Sequence, residues 1–241
     1  MIDVLIITFN EAMNLPHCLT AMQQWTKKIF VIDSGSTDGT QDLARSMGAE
    51  VIHHDWTGYA AQKNWGLDNL PFESDWILIV DADEIITPKL RDELIQVASV
   101  PMNQIRENGF FINRLTYFLS RPIRHCGYFP SWNMRFFKRG QGRYENRAVH
   151  EHIVIRDPVS NIAEPMLHQD RRGGSGSGMP PVQTNNACRG HDIVTVRTFL
   201  VTLLFRKYTS SLTHLLAIPK ALSPAAGGSA SRYRQLDLSA K

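Results

Sequence analysis

Over the first hundred residues, short apolar runs alternate with segments that carry apolar residues at helical spacing. Asp3-Val4-Leu5-Ile6-Ile7-Thr8, Ile29-Phe30-Val31-Ile32-Asp33 and Val51-Ile52-His53-His54 have strand chemistry. Between them, Glu11 to Thr26 spaces Leu15, Leu19, Met22 and Trp25 as one helix face, and Gln41 to Met47 is a second helix stopped by Gly48. Thr8 or Asn10 is expected to cap the first helix, and Lys27-Lys28 to close it against its dipole. Strand–helix–strand units at this spacing predict a parallel sheet with right-handed crossovers.

The stretch Trp76 to Glu84, W-I-L-I-V-D-A-D-E, organises the rest. Its apolar run suits a central strand covered on both faces and ends abruptly in Asp81 and Asp83. Alternation along a strand predicts that both carboxylates leave on one face, into the crevice where open α/β sheets bind ligands. Two adjacent carboxylates repel unless a cation lies between them, and Mg²⁺ typically shares one or two carboxylates with substrate phosphates. The bland alternative makes Asp83 the cap of a helix starting near Ile85, with Pro88 in its first turn.

Beyond this stretch, Leu90 to Val100 is a helix broken by Pro101, and Gly109 to Phe118 has strand chemistry. Tyr128, Phe129, Trp132, Phe136, Phe137 and Tyr144 are interleaved with Arg121, Arg124, Arg135, Lys138, Arg139 and Arg143. Such a mixture suits either a sugar and phosphate surface or an edge strand; Trp132 and Arg135 are the candidates for the acceptor or phosphate side. Residues 171–192 form a Gly/Ser/Pro-rich linker, and 193–241 a basic, partly apolar tail, expected to be disordered or a surface helix on anionic lipid. Residues 1–170 are thus expected to be one domain.

Charge sharpens the division. The net charge of +3 combines −9 over residues 1–105, +7 over 106–156, −3 over 157–170 and +8 over 171–241. An acidic half beside a basic segment suits a phosphorylated substrate or acceptor; nucleic acid ranks lower, since no recognised binding motif surrounds the basic residues. The acid at position 3 and the missing basic n-region predict a first strand rather than a signal peptide, and no apolar run is long enough to span a membrane. Cys18, Cys126 and Cys188 lack metal spacing and suit a reducing cytoplasm.

Neither a Gly-x-Gly-x-x-Gly fingerprint nor a P-loop follows the first strand. Instead the first two strands end in small polar or acidic residues, at Thr8/Glu11 and Asp33/Asp38, and carboxylates suit a ribose or base N–H better than a phosphate. Lys63, in a predicted helix start at 58–66, is either a solvated charge or a phosphate or acidic-loop contact.

Together, I-I-T-F-N-E (6–11), V-I-D-S-G-S-T-D-G-T (31–40), A-Q-K-N (61–64), D-A-D-E (81–84), W-N-M-R-F-F-K-R-G (132–140), V-H-E (149–151) and L-H (167–168) resemble the inverting glycosyltransferases of family two. The lipopolysaccharide-core β-1,4-glucosyltransferases are the nearest resemblance. It implies an α/β GT-A fold, a mostly parallel central sheet flanked by helices, with a diverged C-terminal tail. It further implies that Thr8, Glu11, Asp33 and Lys63 line a nucleotide-sugar pocket. Asp81 and Asp83 would bind a divalent metal, Mg²⁺ or Mn²⁺, and the donor diphosphate. The implied reaction moves a sugar, glucose from UDP-glucose foremost, onto a lipopolysaccharide core or similar glycan in the cytoplasm, with peripheral contact at the inner membrane. After Leu167-His168 the chain departs from the family pattern.

Glu151 is the candidate base, because a carboxylate in a partly dry cleft has its pKa raised toward working pH. His150 is an alternative base, metal ligand or phosphate contact. Two rival readings are a haloacid-dehalogenase-like phosphatase, which also places Asp-x-Asp at a strand end, and a non-catalytic transferase-like binding module.

Overall fold

The computed structural model describes residues 1–145 and 152–171. Strands β1 (Ile2–Thr8), β2 (Lys28–Asp33), β3 (Glu50–His53) and β4 (Trp76–Asp81) alternate with helices α1 (Leu15–Met22), α2 (Thr40–Ser46) and α3 (Tyr59–Asn69). Then come β5 (Glu84–Ile85), α4 (Pro88–Ser99), β6 (Gly109–Phe118), β7 (Arg121–Pro122), β8 (Trp132–Lys138), β9 (Gly142–Tyr144), β10 (Ile153–Ile155), β11 (Val159–Asn161) and β12 (Met166–His168).

The main sheet runs β3-β2-β1-β4-β8-β6-β12-β5, with β7 and β11 also paired to β6, while β9 and β10 form a separate ribbon. The first four strands are parallel, as the sequence predicts. The sheet turns mixed at β8, which is antiparallel to both β4 and β6. Every residue of β1 is buried, and alternation splits the strands between two apolar layers. Val4, Ile6, Leu78 and Val80 face Leu15, Leu19, Met22, Leu90 and Leu94, whereas Leu5, Ile7, Ile77 and Ile79 share the other layer with Ala60, Phe137 and Tyr144. Asp3 tolerates burial because its carboxylate accepts from Glu73 N, Ser74 N and Ser74 Oγ at 2.7–2.8 Å.

The first helix is shorter than its apolar spacing predicts. Asn10 takes a φ of +56°, the Glu11 carbonyl accepts the Asn14 and Leu15 N–H groups in a turn, and Pro16 lies in the first helical turn. Thr8 and Asn10 do not cap this helix: Thr8 Oγ1 donates to Asp33 at the end of β2, and Asn10 Oδ1 accepts from Thr37 N in the loop after it. Nor do the lysines close it. Lys28 opens β2, and Lys27 and Lys28 pair with Glu73 at 2.6 and 2.8 Å. At α4 the cap is Thr87, whose Oγ1 accepts from Leu90 N at 3.2 Å, so Asp83 is released from that structural duty.

Candidate active site

The carboxyl ends of β1, β2 and β4 meet at one level, since Thr8 is in register with Asp33 and Ile7 with Asp81. Strand order reverses at β1, which makes this crevice the switch point where open α/β sheets take ligands.

On the β1–β2 side, two loops are stitched together by side-chain oxygens. Asp33 is fully buried, and its Oδ1 accepts from Gly35 N, Ser36 N and Gln41 Nε2 at 2.9, 2.8 and 2.7 Å. Its Oδ2 accepts from Thr8 Oγ1 at 3.1 Å and from Ser36 Oγ. A carboxylate offers about four acceptor sites, so Asp33 is saturated by its own chain. Its charge shapes the loop, and a nucleotide contact with it requires displacing one of these donors. Asp38 is similarly used: it accepts from Ala12 N at 3.1 Å and from both the backbone and hydroxyl of Thr40. Glu11 is buried, with Oε2 accepting from Asn14 Nδ2 at 2.8 Å. Gln62, fully buried beside Lys63, bonds Ser34 Oγ, the His54 carbonyl and His54 Nδ1 at 3.1, 3.0 and 2.8 Å, tying α3 to β3 and the β2 loop.

On the β4 side, charges alternate. Lys63 Nζ lies 3.0 Å from Asp81 Oδ1, and Arg135 Nη2 lies 2.5 Å from Asp81 Oδ2. The same Arg135 nitrogen donates to Glu84 Oε1 at 2.8 Å, while Arg114 Nη1 is 4.0 Å from that oxygen. Glu84 Oε2 closes the turn by accepting the Asp81 N–H at 2.9 Å. Lys63 also sits over the Tyr144 ring, 5.2 Å from its centroid. Burial works to raise the Asp81 carboxyl, but Arg135 and then Lys63 outweigh it and hold it well below the usual carboxylate range. Glu84 leans the other way: burial raises it, Asp81 adds to that, and Arg135 and Arg114 only partly compensate.

Asp81 and Asp83 take different partners, and the alternation that predicts a shared face stops with β4 at Asp81. The strand ends at Asp81 and the chain turns through Ala82-Asp83, so the two-residue period no longer sets the direction of Asp83. Asp83 Oδ2 instead meets His168 Nε2 at 3.1 Å, and Gln169 N donates to the Asp83 carbonyl at 2.9 Å. The antiparallel pairing of β12 with β5 brings His168 opposite Glu84. Burial disfavours the charged imidazole, but the Asp83 hydrogen bond and charge prevail, and the His168 pKa is raised.

For a divalent metal, the donor sets are unequal. Both Asp81 oxygens face cations, so an added cation there competes with Lys63 and Arg135. Asp83 and His168 offer a carboxylate and an imidazole together, and both keep some exposure, 16% and 26%. Among the described residues no cluster of three or more His, Cys, Asp or Glu is arranged for a metal. Asp83 and His168 are the residues that would hold a divalent metal such as Mg²⁺ or Mn²⁺, with its other positions left to non-protein ligands.

Trp132 and Arg135 are placed differently on β8, where the pairing with β6 slips by one residue between Met134 and Phe136. Trp132 is 43% exposed, whereas Arg135 is buried against Asp81 and Glu84, so Arg135 belongs to the ion network and not to an acceptor-facing surface. His150 and Glu151 lie outside the described residues. On either side of them, Glu145 N donates to the His152 carbonyl at 2.9 Å. Glu84 and His168, absent from the sequence-derived site, were signalled only as the last residues of D-A-D-E and L-H. Nothing in the spacing told which acid would turn inward.

The model of the family described as "Glycosyl transferase family 2" matches residues 3–154. A lipopolysaccharide core biosynthesis glycosyltransferase of Rhizobium meliloti is 30% identical over 171 residues, covering 66% of this chain and 59% of its own. An uncharacterised glycosyltransferase of Rickettsia typhi is 36% identical over 170 residues, covering 68% and 56%. The chain thus spans less than two thirds of the length of these relatives. Among solved structures, S. aureus TarS residues 1–349 align at 20% identity and TM-score 0.41, covering 52% of this chain and 38% of that one. Glucosyl-3-phosphoglycerate synthase of Mycobacterium tuberculosis, in complex with Mn²⁺, UDP and its product, aligns at 19% identity and TM-score 0.39, covering 48% and 44%. With the family model matched across β1 to β10 and the α/β architecture in place, the chain belongs to glycosyl transferase family 2.

Proposed function

We propose that this chain catalyses inverting transfer of a hexose, glucose from UDP-glucose foremost, onto a lipopolysaccharide core or similar glycan. The observation that carries the reading is the crevice itself. There Thr8, Glu11 and the Asp33 loop, the Lys63–Asp81–Arg135 network and the Asp83–His168 pair converge at the carboxyl ends of β1, β2 and β4. Family membership sets aside the phosphatase reading.

Each group has a distinct task in this proposal. The stitched β1 and β2 loops form a preorganised floor for the nucleoside, with Asp33 fixing the loop from beneath. Lys63 and Arg135 hold Asp81 ionised and oriented at the edge of the crevice. Asp83 and His168 are the groups that would hold the divalent cation, which when bound supplies Lewis-acid stabilisation of a leaving diphosphate. Glu151, from its sequence position, takes the proton of the acceptor hydroxyl. The basic 106–156 segment suits a phosphorylated acceptor, and peripheral contact with the inner membrane fits a glycolipid.

A thermal-shift panel of nucleoside diphosphate sugars, with and without Mn²⁺, tests this. A ligand at 100 times its dissociation constant stabilises the fold by about 2.7 kcal/mol. UDP-glucose should raise the melting temperature in a Mn²⁺-dependent way, and turnover should release UDP. A shift with NAD and none with any uridine nucleotide would sink the proposal; binding without turnover would leave a transferase-like binding module.

A further inference from the structure

Strands β6 and β7 form a hairpin in which Phe118 pairs with Arg121, leaving Leu119 and Ser120 as a two-residue loop. Both loop residues have positive φ, +47° and +61°, as a type I′ turn requires. That turn favours Asn-Gly or Asp-Gly, because side chains branching near the backbone resist the left-handed region. Here it holds a leucine that is 82% exposed, next to a half-exposed Phe118. Among the described residues, neither conformation nor burial accounts for a leucine at this tip.

The surroundings specify the chemistry. From Asn108 through Tyr144 the chain contains no Asp or Glu. Arg121 and Arg124 are exposed, Arg124 lies over the Phe129 ring at 5.6 Å, and no described residue gives either arginine an acidic partner. Tyr128 and Trp132, 39% and 43% exposed, follow on the return to β8. An apolar tip flanked by arginines and followed by exposed aromatics matches an anionic bilayer surface, where acyl chains take the tip and headgroups take the arginines.

We propose that the β6–β7 hairpin is a membrane-docking wedge, inserting Leu119 and Phe118 into an anionic lipid surface while Arg121 and Arg124 pair with the headgroups. It rests on the peripheral membrane contact of the proposed function and gives that contact a place in the fold, whereas the donor site and the sugar transferred do not enter it.

The test is co-sedimentation of the full chain with vesicles of phosphatidylglycerol and phosphatidylcholine mixed one to two, against pure phosphatidylcholine, at low and high salt. The parent should bind the mixed vesicles, bind the neutral ones weakly and release in salt. Leu119→Asn supplies a residue the turn accepts, so its melting temperature should be equal or higher while vesicle affinity falls about tenfold. Arg121→Ser should lower affinity about fivefold, one basic side chain's share. Leu119→Gly, which also fits the turn, should reproduce the loss. The proposal is overturned by absent binding to mixed vesicles, by equal binding to neutral ones, or by Leu119 and Arg121 variants that bind like the parent. A dimer in lipid-free solution that Leu119→Asn dissociates would also overturn it, in favour of self-association.

Discussion

Replacing Arg135 with methionine tests whether the ion network holds the β4 side of the crevice together. Arg135 is 5% exposed and bridges Asp81 and Glu84 through one nitrogen, at 2.5 and 2.8 Å. Methionine keeps much of the stem volume and removes the charge. Glu84, with no exposed surface, keeps the Asp81 N–H and, among the described residues, only Arg114 at 4.0 Å as a cationic partner, while Asp81 keeps Lys63. Breaking a buried pair by removing one partner costs about 3–5 kcal/mol. For a protein of this size that is a melting-temperature loss of roughly 6–20 °C. The pH dependence separates this cause from simple repacking. Glu84 is already raised, and without Arg135 it rises further. An acid raised in the folded state penalises folding above its folded pKa, and the penalty fades as pH falls through that value. The Arg135→Met deficit, measured by urea unfolding, should therefore be larger near pH 8 than near pH 5. Arg135→Lys, which keeps charge but loses the planar fork, should fall in between. A loss under about 1 kcal/mol, or a deficit that does not change with pH, would refute the reasoning.

Asp83→Ala should abolish Mn²⁺-dependent transfer with little change in melting temperature. Asp81→Ala should lose activity and also stability, about 3 kcal/mol or more, because it strands buried Lys63 and Arg135; equal melting temperatures for the two variants would contradict this. His168 has a raised pKa through Asp83, so its charge–charge stabilisation is present below its ordinary value of 6.5 and is lost as pH rises through the folded pKa. Metal binding needs the neutral ring, so Mn²⁺ affinity by calorimetry should weaken as pH falls, and Asp83→Asn should shift the His168 titration by NMR to lower pH; an unmoved titration would break the pairing. Gly66→Ala should destabilise by about 1–3 kcal/mol, since a Cβ there would sit 2.6 Å from Ile32 Cδ1 and 3.0 Å from Leu5 Cδ1, and an unchanged melting temperature would show that α3 can move away from the sheet.

The sequence by itself determined the parallel half of the fold and the location of the crevice. Apolar runs that end in polar residues require covered strands with their chemistry at one edge, and β1, β2 and β4 formed where that pattern placed them. Local order also fixed α2 and α4, whose glycine and proline punctuation is a backbone effect. What the sequence left open was the direction of each polar side chain once the regular strand stopped. Asp81 and Asp83 read as a pair, yet one turns to Lys63 and Arg135 and the other to His168, contributed from β12 far along the chain. Asp33 read as a ligand contact, yet the chain itself supplies five donors to it, three from its own loop and one each from Thr8 on β1 and Gln41 on α2. These outcomes depend on long-range partners and on the cost of burying an unpaired charge, quantities no local pattern contains. Tertiary structure alone decided which carboxylate is paired with buried cations and which with an imidazole.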